Sequence, residues 1–519
     1  MGLKEFLTRL GFTEHPFQFT NADEEEHLQS YFVPPPYFVS IWGDPKSPKS
    51  QVIFAPRGGG KTAQRRMIEY KSEKANVFVI TYDRFEKLSE VELETLSVDY
   101  HLRNIIEKGL LGFLLELHAR GLQGPSFSNA ERDQIDHLCD HYLSRITRLE
   151  AIEALSSLKT LSAGAKQFLR EWSGPLNSLF SAALAAKGVP FTKLSLGGAP
   201  VQHDSLGGSL KAHFELVRDL LLSVGFESIY VLVDKVDETA ETGNNAGASF
   251  NLVKPLLRDL ELLQIRKVAF TFFLWDLLLA RYQEYARPDR LEQFELSWGE
   301  ADLNKMLSRR LEAFSQGRVE DLSQLTDAEL ANSLHFLVVL FAAGSPRDMI
   351  RICQEILAEQ LQINPDSTNI EIDAILQGIS KFCTRRALEI LSPQIYKELV
   401  KVSRLDFTAT YIANEVFKFD VNSGRNKIRN WTEAGAVEKV GELDSGGHPI
   451  YHYAVRDVRV AKAIASQLDL REFMKHKLRR CTRCKAVMIR DWDIGLAPTQ
   501  TCHSCGMEWE TKVLQASQE

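Results

Sequence analysis

Short unbroken apolar runs alternate along this chain with stretches of three-and-four periodicity. Gln51–Ala55, Asn76–Thr81, Ile229–Val233 and Lys267–Leu274 have the length and the β-branched or aromatic content of buried strands. The helical period takes over in Thr62–Ser72, near Phe250–Leu263 and across residues 300–390. From about Val98 to Val217 it predicts several helices and no sheet, an insertion whose role no motif reveals. Continuous apolar strands separated by helices predict a parallel sheet covered on both faces. A short amphipathic helix opens the chain, and Tyr31–Phe38, with three prolines, is expected to lie extended on a neighbouring surface.

The same reading divides the chain into a lead-in segment (1–45), an α/β core (46–300) holding the insertion at about 98–217, a helical lid (301–392), a small mixed unit (393–470) and a cysteine module (478–512). In the mixed unit, Phe407–Glu415 and Val421–Trp431 read as two helices, with a strand through Val440, a turn at Gly446-Gly447 and a return strand from Pro449 to Tyr453. No internal repeat is present.

Length and composition agree with several globular domains: 519 residues, 44% hydrophobic and 25% charged. The longest apolar runs, Val268–Ala280 and Leu334–Ala343, fall short of the roughly 18 residues a membrane span needs, and the N-terminus lacks a signal-peptide layout. A cytoplasmic protein without membrane contact is expected. Net charge is −7, which excludes a surface coated with phosphate contacts. Yet residues 401–519 hold 19 Lys and Arg against 15 Asp and Glu, and residues 471–490 hold eight basic residues against Glu472 alone. A local basic patch on an acidic body is compatible with nucleic-acid binding.

The strongest chemical signal is Ala55-Pro-Arg-Gly-Gly-Gly-Lys-Thr62, which fits G-x-x-x-x-G-K-[ST] with Ala at the first position. Arg57, Gly58, Gly59, Gly60, Lys61 and Thr62 are expected to bind nucleotide. The glycines would supply positive φ and close backbone approach, Lys61 would reach the β- and γ-phosphates, and the Thr62 hydroxyl would ligate Mg²⁺. The helix that follows adds its N-terminal dipole. A second strand should end in a carboxylate for the metal, and Ile229–Val233 runs directly into Asp234. The next residue is Lys235, which is no base while protonated, so Asp237 and Glu238 are the candidate bases and slow hydrolysis is expected.

Cys481-x2-Cys484-x17-Cys502-x2-Cys505 has zinc-ribbon spacing, with four thiolates closing a tetrahedral structural Zn²⁺ site. His503 is not needed as a ligand. Arg479, Arg480, Arg483, Lys485 and Arg490 surround the first knuckle, and Trp492 and Trp509 add aromatic surface. Cys139, Cys353 and Cys383 sit in apolar helical patterns and read as buried hydrophobes.

Several downstream segments carry a resemblance. Lys267–Trp275 occupies the place of the sensor strand in AAA+ and STAND-type ATPases. Arg287-Pro-Asp-Arg290 and the run to Trp298 resemble the basic turn, short strand and Trp or Thr that lead into the lid of initiator-type AAA+ proteins, and Gly344-Ser-Pro-Arg347 resembles the start of their sensor helix. With Pro16-Phe17, Asp23–Glu26 and Tyr31-Phe-Val33, residues 12–385 resemble a bacterial P-loop ATPase family related to origin-recognition initiators and to KAP/STAND ATPases. The order of residues 393–470 is similar to a winged helix, in which Arg425, Lys427 and Arg429 would lie on or beside the recognition helix. This resemblance implies arginine fingers at Arg287 and Arg290, a nucleotide sensor at Arg347 and a homo-oligomeric switch. It also implies ATP, Mg²⁺ and Zn²⁺ as bound groups, and a role in DNA transactions or antiphage defence. The first expectation is an ATPase switch bound to nucleic acid, DNA rather than RNA; the alternative is a STAND-like ATPase whose C-terminal modules bind a protein partner or separate effector.

Overall fold

The computed structural model describes residues 2–120, 125–143, 146, 148–171, 209–243, 245–326, 331–443, 449–492, 499–502 and 504–510. The chain forms two compact units, Asn21–Ser297 and a second made of Met1–Thr20 with Trp298–Glu519. The stretch expected as one lead-in segment therefore divides between them.

The core of Asn21–Ser297 is a five-stranded sheet of β1 (Gln51–Ala55), β2 (Val77–Tyr82), β3 (Ser228–Val233), β4 (Val268–Trp275) and β5 (Glu292–Glu295). Their order is β2-β3-β4-β1-β5, with every pairing parallel. Every residue of β1, β2 and β3 is buried, as expected of strands covered on both faces. β5 falls in the run from Arg287 to Trp298, where the resemblance implied a short strand; its Glu-Gln-Phe-Glu alternation is that of an edge strand and carries no apolar run. This is the parallel α/β sheet, with a helical insertion, that the sequence indicates.

The insertion has a structural purpose. Helix Val98–Arg120 is buried along most of its length and packs on β2 and on helix Leu210–Ser223. Contact is close enough that a Cβ on Gly109 would come 2.6 Å from Val217 Cγ1, and one on Gly112 would collide with the Phe78 ring. Farther on, the Thr81 amide donates to Ser157 O at 3.1 Å and the Val79 amide to Thr160 Oγ1 at 2.9 Å. These bonds cover the open edge of β2, which would otherwise present unpaired backbone. Residues 172–208 of the insertion lie outside the described residues.

In the second unit, helices Glu300–Ser315, Ala331–Ala342, Pro346–Ile363 and Ile372–Ile390 fill the segment expected as a helical lid. Pro346 sits in the first turn of its helix behind the Ser345 cap. Helix Pro393–Val402 leads into β6 (Asp406–Thr408), a π-wound turn at Ile412–Phe417, helix Val421–Glu433, β7 (Val437–Leu443) and β8 (Ile450–Val455). The sheet order is β6-β8-β7, all antiparallel. The helix expected over Phe407–Glu415 is thus corrected at its start. Phe407 and Thr408 pair with Tyr453 and His452 of β8, and helix begins only at Ala409. Phe407 is fully buried against Trp431, so burial in the sheet outweighs helical periodicity at that point. The Gly446-Gly447 turn lies outside the described residues. Among the described residues no helix is long and apolar enough to cross a membrane.

Candidate nucleotide and zinc sites

β1 and β4 are in register, Ala55 opposite Trp275, so the loop after Ala55 leaves the carboxyl end of the sheet beside Trp275. Ligands of open α/β sheets bind at this end. Gly58 and Gly60 adopt φ of 78° and 93°. Gly59 does not, but a Cβ there would stand 2.9 Å from Pro56 O, so it serves close approach and not handedness. Helix Lys61–Lys74 starts on Gly60, so the positive end of its dipole faces the loop. The Lys61 ammonium lies 3.2 Å from Ala55 O, at the mouth of the loop.

Thr62 Oγ1 donates to Asp234 Oδ2 at 3.1 Å. The two candidate metal-binding groups, separated by 172 positions in sequence, therefore meet where β3 ends beside the loop. A hydroxyl and a carboxylate oxygen are the hard ligands Mg²⁺ takes directly or through water, so these residues fit the ion. Asp234 is 1% exposed, and its Oδ1 accepts the Lys235 amide at 2.9 Å. Sequence reasoning missed its third donor: Arg65, one turn into the helix and 1% exposed, donates Nε to Asp234 Oδ2 at 2.9 Å. Arg65 also binds Glu69 and Asp23. The signal was an arginine on the buried face of the loop helix, where an unpaired charge could not survive.

Lys235 has φ of 59° and places its ammonium 2.7 Å from Asp23 and 3.5 Å from Asp83. Burial alone would pull this ammonium down, but the hydrogen bond to Asp23 and the two carboxylate charges outweigh it and hold it above the ordinary lysine range. A proton acceptor at this position is therefore ruled out at neutral pH. Asp237 is buried and bound to Arg57, whose Nε reaches Oδ2 at 2.8 Å and whose second nitrogen reaches Asp237 O at 2.8 Å. The Arg57 guanidinium also stacks on Trp275, 4.2 Å from the ring centre. Glu238 is exposed. Arg287 and Arg290 are exposed and flank Asp289, at 3.3 and 3.4 Å. Arg347 is exposed in the first turn of its helix, next to the buried Asp348, which holds Arg386 at 2.9 Å and also Arg459.

At the other end of the chain, β9 (Leu478–Arg480) and β10 (Val487–Ile489) form one hairpin, β11 (Thr499–Thr501) and β12 (Glu508–Glu510) another. The two knuckles between them repeat one geometry. The Cys481 amide donates to Ala486 O and the Lys485 amide to Cys481 O; the Cys502 amide donates to Met507 O and the Gly506 amide to Cys502 O. Lys485 and Gly506, at φ of 64° and 65°, occupy equivalent left-handed positions. The four sulfurs lie within 4.8 Å of one another, with Cys481–Cys505 at 3.7 Å and Cys484–Cys502 at 3.5 Å. A tetrahedron with metal–sulfur bonds of about 2.3 Å has edges of about 3.8 Å, whereas a disulfide would be about 2 Å. The cluster therefore fits zinc. His503 lies outside the described residues.

The basic patch around the first knuckle needs correction. Arg490 is 3% exposed, Arg480 pairs with Glu300 at 2.8 Å, and Arg479 lies over the Trp492 ring at 4.3 Å. Arg479, Arg483 and Lys485 remain exposed. On helix Val421–Glu433, Lys427 binds Glu398 at 2.7 Å, next to the Trp431 indole at 2.9 Å, while Arg425 and Arg429 are exposed.

No protein-family model matches the chain, and no curated protein matches it. Among solved structures, the chain is similar to the Aeropyrum pernix ORC1 protein in complex with DNA, at 12% identity and TM-score 0.38 over 86% of this chain and 96% of that one. It is similar to the Aeropyrum pernix ORC2 protein in ADPNP–ADP complexes, at 10% identity and TM-score 0.40 over 85% and 97%. It is also similar to Drosophila ORC bound to DNA, at 11% identity and TM-score 0.27 over 83% and 93%.

Proposed function

We propose that this chain is an ATP-binding, slowly hydrolysing switch associated with nucleic acid, DNA before RNA. The observation that carries the nucleotide reading is the meeting of Thr62 and Asp234 beside a glycine loop with two left-handed glycines. In this reading the loop amides and Lys61 hold the triphosphate, and Thr62 with Asp234 holds the magnesium. Bound magnesium would neutralise charge on the β- and γ-phosphates. Lys235, kept protonated, cannot polarise water, and Arg57 occupies the Asp237 carboxylate, which leaves Glu238 as the base and hydrolysis slow. Arg287, Arg290 and Arg347 act as fingers and sensor in a homo-oligomer.

Residues 393–470 then act as a winged helix. Its contact with DNA would use the polar exposed face of helix Val421–Glu433 around Arg425 and Arg429, joined by Arg483 and Lys485 of the ribbon. Fluorescence anisotropy of a labelled duplex with the zinc-loaded full chain tests this half. Binding should weaken steeply between about 50 and 200 mM salt, and absence of binding at about 50 mM overturns it.

One observation favours a second reading. Arg490 is buried, and Lys427 and Arg480 are paired with Glu398 and Glu300, so the C-terminal modules keep fewer unpaired cations for phosphate than the sequence suggests. A STAND-like signalling or antiphage-defence ATPase, whose C-terminal modules bind a protein partner or separate effector, would need no more.

A further inference from the structure

The acidic turn Ala22–Glu24 is fastened to the loop helix by more bonds than a connecting segment needs. Asp23 binds Arg65 and accepts from Lys235 Nζ at 2.7 Å. Arg66 donates to Ala22 O at 2.5 Å and to Glu25 O at 2.8 Å. Asn21 caps the turn through the Asp23 amide at 3.1 Å.

The fastening converges on the metal-binding carboxylate. A carboxylate offers about four lone-pair positions. On Asp234, Thr62 and Arg65 take two at Oδ2 and the Lys235 amide takes one at Oδ1. Arg65 thus sets the rotamer of Asp234, and Asp23 and Glu69 set Arg65. Charge adds to geometry. Arg65 and Lys235 are met by Asp23, Glu69, Asp83 and Asp234, which leaves two negative charges in excess, the complement of a divalent cation. Without Asp23, two cations would face three carboxylates and Arg65 would lose one of its three anchors.

We propose that residues Asn21–Glu25 are a strap whose order is coupled to occupancy of the magnesium–nucleotide site, with Asp23 and Arg65 as positioning residues for Asp234. This rests on the nucleotide reading above. Coupling is reciprocal: if the strap favours the metal, the metal must favour the strap.

The test uses the zinc-loaded full chain and a fluorescent ATP derivative titrated with Mg²⁺. Asp23→Asn should shift the Mg²⁺ midpoint upward about five- to tenfold, while binding of the derivative in EDTA stays at the wild-type value. Asp23→Glu, which keeps the charge, should recover most of the shift. In hydrogen–deuterium exchange, Mg²⁺ with the derivative should slow the amides of residues 19–25 in the wild type and leave them unchanged in Asp23→Asn. A wild-type Mg²⁺ midpoint and wild-type exchange in Asp23→Asn would overturn the strap alone. Failure of the wild type to bind the derivative under any condition would remove the nucleotide reading and the strap with it.

Discussion

Both oxygens of Asp234 are engaged by neighbours, and most of the side chains around it were invisible as a group in the sequence. The loop, Lys61, Thr62 and Asp234 could be read directly, because each occupies a position its chemistry requires. Arg65, Asp23 and Glu69 could not, since no spacing rule connects a turn at residue 23 to a strand end at residue 234. Burial creates other invisible sites. His101, in helix Val98–Arg120, is fully buried between Tyr82 Oη at 3.0 Å and Leu252 O at 2.8 Å, and burial lowers its pKa to about 4. The folded state therefore binds fewer protons than the unfolded state below the unfolded value of 6.5. Stability contributed by neutral His101 is complete above about pH 6.5 and is lost as pH falls through about 4, on the order of 3 kcal/mol in all. Urea unfolding from pH 7.5 to 4 should show a shallower acid decline in His101→Phe than in the wild type; parallel declines would refute the assignment.

At the scale of elements, helix Val98–Arg120 shows how far packing exceeds pattern. Its glycines at 109 and 112 lower helix propensity, yet the helix lies directly on Phe78 and Val217 because nothing larger would fit. Gly112→Ala should destabilise the Asn21–Ser297 unit by about 1 to 3 kcal/mol despite its better propensity, measured by urea unfolding; unchanged stability would show the contact to be loose. The four core strands lie within one residue of their expected ends, because an unbroken apolar run has one physical meaning in a parallel sheet. β5 was implied only by the resemblance, since its edge-strand polarity gives no apolar run, and β6 escaped because three residues carry too little pattern to outweigh a helical neighbour. The ribbon is the opposite case, legible to the residue from its cysteine spacing. So small a module has little core besides its sulfurs and Met488. Chelation of zinc should make residues 478–510 labile to protease while the sheet unit stays resistant, and equal resistance would refute a structural metal.

On the scale of the molecule, charge is spent mainly on internal order. Asp348 alone holds Arg386 and Arg459, tying helix Pro346–Ile363 to helices Ile372–Ile390 and Val458–Ile464. Arg347 precedes it, so a displacement at the proposed sensor would be felt directly by that buried hub. Arg287 and Arg290 share a single exposed acid, Asp289, and a second copy of the chain could recruit both. If they are fingers, Arg287→Ala with Arg290→Ala should lower ATP turnover by about 10³-fold and leave ATP affinity within about twofold. Equal loss of affinity and turnover would assign them to folding or to direct binding.

The central claim is that the loop after β1 binds a magnesium-bound triphosphate through Lys61, Thr62 and Asp234. Isothermal titration of the zinc-loaded full chain with ATP and Mg²⁺ tests it most directly. The account predicts one site per chain, abolished by Lys61→Ala and weakened at least tenfold by Asp234→Ala only when Mg²⁺ is present. Heat of binding that is absent in the wild type, or that survives Lys61→Ala unchanged, would contradict it.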